Sequence, residues 1–223
     1  MYLTGILFAL AVCYVHTYRI VDVGNGKIHI LKVKQDVTLE RGSTNFNRLP
    51  YLIIGRHPRY PLKRSLVQFE NLRTSCPANK IKFAKMYLYY VYAHKASFQS
   101  VRKTPFLSRN IIIHRVLKSW SERAATSIYR VGKLGWFSKY LNLGRDAVAS
   151  RQYPVTRLHT ARPPGWMEFD VRKAILAWKR GRPNFGLLIR VQKENVLGRD
   201  IRFASNNHRN VKLHAKIHVL CRY

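Results

Sequence analysis

Apolar and polar side chains alternate with a period of two along several stretches of this chain, the pattern of β-strands with one face in a core and one in water. The clearest stretch is Lys80 to Tyr92, where Ala84, Met86, Leu88 and Tyr90 alternate with Lys85, Tyr87, Tyr89 and Val91. One face goes to a core, and the other carries a tyrosine ladder. Near the C-terminus Leu213, Ala215, Ile217 and Val219 alternate with Lys212, His214, Lys216 and His218, which predicts a half-buried strand with a cationic outer face. Shorter strands are predicted over Lys27 to Lys34, Ser65 to Phe69, Ile111 to Leu117 and Gly186 to Val191. Turn-forming sequences such as HPRYP, CPAN, ARPPG and GRPNFG separate them. Many short strands between such turns predict an all-β fold, a jelly-roll β-sandwich.

One segment has the helical period instead. Val171, Ala174, Ile175 and Trp178 fall at i, i+3, i+4 and i+7, which predicts a short amphipathic helix over Val171 to Arg180. Asp170 is its expected N-cap, Gly181 its exit, and Trp178 is expected to be buried against the sheet. Lys179 and Arg180 suit the negative end of the helix dipole. The stretch from Arg123 to Pro164, rich in Gly, Arg and Tyr and weakly periodic, reads as long loops crossing one end of the sandwich.

The segment GWMEFDVRKAILAWKRGRPNFGLLIRV, Gly165 to Val191, resembles the W-x-x-F-D-V, x-W-x-x-G-x-x-N-x-G-L pattern of the DNRLRE domain. SLVQFENL at Ser65 to Leu72, KIKFAKMYLYY, IIIHRVLKSWSERAAT at Ile111 to Thr126 and IRFASNN at Ile201 to Asn207 are similar to further strands of that family, in order. The likeness runs over about Asn45 to Val219. It implies a carbohydrate-binding-like jelly roll of secreted and cell-surface proteins. The same motif also resembles the latency propeptides of growth factors, which share the core and do a different job.

Residues 1 to 17, MYLTGILFALAVCYVHT, hold no charged side chain and have an apolar run from Ile6 to Val12. That run is too short for a span of about 20 residues and is followed by small residues suited to cleavage, so it reads as a secretory signal peptide. The remainder divides into an N-terminal strand segment, 18–44, and the DNRLRE-like sandwich, 45–223, together one domain. No second apolar stretch reaches membrane length. Cys13 lies in the presumed leader, which leaves Cys76 and Cys221, and in an oxidising compartment this pair most simply forms one disulfide.

Composition narrows the function. The 223 residues carry 41 Lys and Arg against 10 Asp and Glu, a formal net charge of +31. A magnitude of about 2 to 8 suffices for the solubility of a small domain. Charge of this density opposes folding by self-repulsion and calls for an acidic counter-surface. Arg, whose planar fork matches sulfate and carboxylate, outnumbers Lys by 24 to 17. Candidate polyanion-binding residues are Lys179, Arg180 and Arg182 around the helix end, and Lys212 and Lys216 on the last strand. Tyr87 and Tyr89 beside Lys85 are candidates for sugar stacking.

The motifs of catalysis and metal binding are missing: no G-x-S-x-G, P-loop, CxxC or HExxH occurs. Glu168 and Asp170 are the only closely spaced carboxylates, and Asp170 already has its use as a cap. The reading is therefore non-enzymatic, with no cofactor and no metal. It gives a secreted, extracellular matrix or structural protein that adheres to acidic polysaccharide or acidic matrix protein, with a mineral surface, as in calcified shell or skeleton, as a further counterpart. The alternative is a lectin-like module for a defined polysaccharide. Nucleic acid ranks last, because a signal peptide removes the protein from it.

Overall fold

The structure, a computed structural model, describes residues 19–56, 61–72, 75–93, 108–149, 154–196 and 200–222. Residues 1–17, expected to be a leader, and with them Cys13, lie outside the described residues. The chain folds as the expected all-β sandwich with one short helix. Its strands are β1 (Arg19–Val23), β2 (Gly26–Leu39), β3 (Tyr51–Arg56), β4 (Leu62–Phe69), β5 (Ile81–Ala93), β6 (Ser108–Arg115), β7 (Tyr129–Val131), β8 (Leu134–Gly135), β9 (Thr156–His159), β10 (Gly165–Asp170), β11 (Leu187–Val191), β12 (Ile201–Ala204) and β13 (Lys216–Arg222). The helix α1 spans Arg172–Lys179.

All pairings between named strands are antiparallel. On one side β13 lies between β2 and β5, and β10 adds to the far edge of β5. On the other side β4 lies between β2 and β11, followed by β6 and β9. Strand β2 belongs to both: its first half pairs with β13 and its second half with β4, the register slipping between Val33 and Gln35. A bulge of this kind sharpens the local twist and lets one strand turn between layers. Between the layers lies the main core, with Leu31, Met86, Leu88, Ile217 and Val219 facing Val67, Phe69, Ile111, Ile113, Leu187 and Ile189.

The alternation in β5 holds residue by residue: Ala84, Met86, Leu88 and Tyr90 are buried, while Lys85, Tyr87, Tyr89 and Val91 are half-buried on the outer side. In β13 the expectation needs correction. The strand begins at Lys216, and Val211–Leu213 form a 3-10 turn whose first free N–H, that of Lys212, is taken by the Asn210 side chain at 3.1 Å. Lys212 and His214 thus precede the strand.

The helix is one residue shorter at each end than expected. Val171 takes the N-cap place expected of Asp170, which ends β10 and whose carboxylate accepts the N–H of Arg172, the first residue of the helix, at 2.8 Å. Val171, Ala174 and Ile175 are buried, and Trp178 is half-buried against the same core.

The segment 117–149 corrects the reading of it as loops over the sandwich end. It lies on the outer face of β4 and β11 and closes a second core, in which Trp120, Ala125, Trp136, Leu141 and Ala147 cover Val37, Leu39, Leu66 and Leu188. Both indoles are satisfied, Trp120 Nε1 donating to Phe185 O at 2.7 Å and Trp136 Nε1 to Thr126 O at 3.0 Å. The buried Asp146 carboxylate accepts the N–H groups of Phe137 and Asn142 at 2.9 and 2.8 Å. Arg64 holds the carbonyls of Tyr140 and Leu141, two non-glycine residues with positive φ, at 2.6 and 2.8 Å.

Candidate functional site

The outer face of β13–β5–β10 is open and carries most of the chemistry foreseen. Residues directly opposite one another in antiparallel strands share a face. Lys32, Lys216, Tyr87 and Glu168 therefore make one row across β2, β13, β5 and β10, and Ile30, His218, Lys85 and Asp170 the next. Tyr89 stands opposite Trp166.

Within these rows Glu168 is held by both of its neighbours on β5. Lys85 Nζ donates to it at 2.5 Å and the Tyr87 hydroxyl at 3.2 Å. The lysine's hydrogen bond lowers the Glu168 pKa, and the carboxylate raises that of Lys85 in return. Partial burial, then the same carboxylate, pushes Tyr87 up. The Tyr87 ring leans on His218 at 4.7 Å between centroids. Burial, helped by Lys216, lowers the His218 pKa, so this histidine adds no charge near neutrality.

Trp166 is the aromatic residue that the sequence reading passed over as a candidate. It is 36% exposed, meets Tyr89 edge to face at 5.4 Å, and carries Lys216 Nζ 4.2 Å from its ring centroid, a cation–π contact. The signal was present: Trp166, Glu168 and Asp170 alternate with the buried Met167 and Phe169. The structure thus brings together Lys85, Tyr87, Tyr89 and Lys216 on one face, with Trp166 at its end beside Tyr89 and Lys216. Lys179, Arg180 and Arg182 form a separate group at the C-terminal end of α1, and Lys212 lies in the turn before β13.

The carboxylates are spent inside the fold. Lys63, itself buried, contacts Asp200 at 2.9 Å and Glu40 at 3.8 Å. Arg64 grips Glu194 with two bonds of 2.6 Å, and Arg190 approaches the same carboxylate at 3.6 Å. Asp22 faces Lys27, Glu70 accepts the Lys32 N–H, and Glu122 accepts from the Asp36 main chain. Asp36 accepts the Asn206 N–H at 2.7 Å, and its burial raises its pKa to about 7. With Asp146, Glu168 and Asp170 already described, each of the ten acidic side chains has an internal partner. The pair Glu168 and Asp170 is accordingly engaged with Lys85, Tyr87 and the start of α1.

The expected bond between Cys76 and Cys221 is present, with the Cα atoms 5.9 Å apart. His29 lies beside it in the core, where its ligand nitrogen and both sulfurs fall within 4.8 Å of one another. Such a trio has the donors of a metal site, but the S–S bond uses both sulfurs. Burial lowers the His29 pKa. A further buried histidine, His114, accepts Arg190 Nε–H at its Nε2 (2.9 Å) and donates from Nδ1 to Val148 O (2.8 Å). Burial holds its pKa near 4.

None of the known protein families matches the chain, and no curated protein is similar enough to count as a match. Among the described residues no helix is long and apolar enough to cross a membrane.

Proposed function

We propose that the protein is a secreted, non-enzymatic component of an extracellular matrix that adheres to acidic polymers, polysaccharide or acidic matrix protein, in the manner of a basic constituent of calcified shell or skeletal matrix. The observation that carries this reading is the division of charge. All ten carboxylates are engaged within the fold, and one of them, Asp36, holds its proton up to about pH 7. The 41 basic side chains so outnumber them that an outer counter-charge is needed. Asp36, Asp146 and Asp200 are buried, and the acids that stay on the surface, such as Asp22 and Glu168, each face a lysine that offsets their repulsion of a polyanion. The resemblance to the DNRLRE domain and the uncharged leader support secretion. Mass spectrometry of the insoluble matrix left after mineral and soluble protein are washed away tests it: the mature chain should be enriched there, and its recovery inside cells alone would overturn the reading.

A second reading, a lectin-like module, is favoured by one specific observation, the exposed Trp166 with Tyr89 at its edge and Lys216 on its face. Flat aromatic rings of this kind stack on the apolar faces of sugars. The two readings differ in salt dependence and in the residues that matter.

A further inference from the structure

Between the C-terminal end of α1 and the chain leaving β4 lies a cavity of about 340 Å³, whose walls include Asn71, Leu72, Trp178, Lys179, Arg182 and Asn184. That is within the range of small-ligand sites, at its lower end. We propose that this cavity binds one acidic sugar unit, a sulfated or uronate pyranose, and so gives the polymer adhesion proposed above, on which it rests, a defined point of recognition.

Three kinds of chemistry meet there. Trp178 and Leu72 supply an apolar wall for the face of a sugar ring, Asn71 supplies its amide N–H groups and Asn184 the second lone pair of its amide oxygen for hydroxyl groups, and Lys179 and Arg182 supply cations for sulfate or carboxylate. No carboxylate lines the cavity. A neutral sugar would leave the Arg182 guanidinium without an anion, and a bare anion would leave the indole unused. An acidic sugar matches the whole wall.

The wall is also built before any ligand arrives. α1 ends in a Schellman closure, with Gly181 N–H bonded to Trp178 O at 3.1 Å and Arg182 N–H to Ala177 O at 3.0 Å. Gly181 has φ of +86°, which a glycine adopts without strain. Asn184 is fixed on three sides: its amide donates to Phe69 O (3.0 Å) and Asn71 Oδ1 (2.9 Å), and its oxygen accepts the Gly186 N–H (3.1 Å). The next turn is pinned as well, because a Cβ on Gly186 would stand 2.3 Å from Val67 O. Pre-organisation of this kind lowers the entropic cost of binding.

Trp178 gives the second, independent sign. Its indole N–H is buried with no hydrogen-bond acceptor, an unfavourable state for a donor. A leucine or phenylalanine at this position would complete the apolar stripe of α1 without that penalty. Packing alone therefore does not call for tryptophan. What the indole adds is a broad flat surface on the cavity.

The test is titration of the ¹⁵N-labelled, disulfide-bonded chain with a trisulfated heparin disaccharide and with its unsulfated counterpart at 0.15 M salt, read on the tryptophan indole resonances. Trp178→Phe assigns the Trp178 signal and keeps the stripe. The sulfated disaccharide should shift that resonance saturably. Arg182→Glu should raise its Kd at least tenfold and Trp178→Phe, read on the backbone amide of Gly181 because it has no indole there, at least threefold. Lys133→Glu, the same charge change at the exposed turn between β7 and β8, should alter it less than twofold, and the unsulfated sugar should bind at least tenfold more weakly. Equal weakening by Arg182→Glu and Lys133→Glu, or a shift confined to Trp166, overturns the proposal. If the disaccharide fails to bind while long-chain heparin is still retained, the cavity assignment falls and charge adhesion stands. If heparin is not retained either, the underlying reading falls.

Discussion

The outer face of β4 and β11 and the outer face of β5 and β10 both carry tryptophan, and they use it in opposite ways. Over β4 and β11, Trp120 and Trp136 are more than nine-tenths buried, each indole N–H has a carbonyl, and Leu66 and Leu188 lie beneath them. Over β5 and β10, Trp166 stands partly in water with a tyrosine at its edge and a lysine on its face. A tryptophan whose polar atom and faces are satisfied inside the protein serves the architecture. One whose face meets water beside cations remains available to a partner. The inner side of each layer holds the core, and of the two outer faces only that of β5 and β10 leaves a tryptophan face in water.

The largest expected effect tests what holds the open side in place. Cys221 lies in β13 and Cys76 in the turn before β5, so the bond ties the centre of the open layer to the chain entering it. The closed loop is long, with a separation of 145 residues. Its loss should cost about 4 to 5 kcal/mol in the chain-entropy account. Urea denaturation with and without reductant measures this, and hydrogen exchange should rise in β13 before it rises in β11. Equal loosening of the two layers would break the comparison.

Next in size is the contrast between the tryptophans. Trp136→Ala should cost about 3 to 5 kcal/mol, as for a buried aromatic residue. Trp166→Ala should cost no more than about 1 kcal/mol, as for a partly exposed one. Chemical denaturation of the two variants checks both values. Equal costs would mean that the open face is as much a part of the core as the covered one.

A smaller effect concerns Asp36, at the point where β2 turns between the layers. Burial raises its folded pKa to about 7, above its unfolded value, so the folded form binds the extra proton. The favourable state is fully present below about pH 4 and is lost as pH rises toward 7 and beyond. Asp36→Asn keeps an oxygen for the Asn206 N–H and should be about 3 kcal/mol more stable than the natural chain at pH 8.5, with little difference at pH 4. His114 acts in the opposite sense. Its folded pKa near 4 means that stability is lost as pH falls from about 6.5 toward 4, because protonation of Nε2 displaces Arg190. The two windows overlap between about pH 4 and 6.5 and oppose each other, so urea titrations of the natural chain should show little net slope there, and Asp36→Asn should unmask the loss of stability on acidification that His114 brings.

How much of this could be read from the chain depended on whether periodicity and backbone coincide. In β5 they do, and the sides of Lys85, Tyr87 and Tyr89 follow from spacing alone. Before β13 they part: Leu213 and Ala215 continue the alternation, but Asn210 caps a 3-10 turn there, so the strand was placed too early. The cover of the second layer has no period at all. Trp120, Ala125, Trp136, Leu141 and Ala147 are spaced irregularly and are positioned by the Asp146 carboxylate and the Thr126 hydroxyl within the segment and by Arg64 from a distant strand, bonds that no hydrophobic period announces. Trp166 was within reach, since its alternation with Met167 and Phe169 places it outward. The cavity beside Trp178 was not, because Asn71 and Asn184 meet only after β4 and the chain following α1 are brought together.

The central claim is adhesion by charge, and retention on heparin as a function of salt tests it most directly. Neutralisation of many anionic groups by Lys and Arg releases condensed counterions, so log K should fall steeply and linearly with log salt, as it does for nucleic acids. Charge reversal at Lys179, Arg180 and Arg182, or at Lys212 and Lys216, should reduce that slope in proportion to the charges removed, while Tyr87→Ala with Tyr89→Ala changes it little. Binding that survives about 0.5 M salt, where the Debye length is only about 4 Å, and that disappears in the tyrosine double variant would contradict the account and establish the lectin reading in its place.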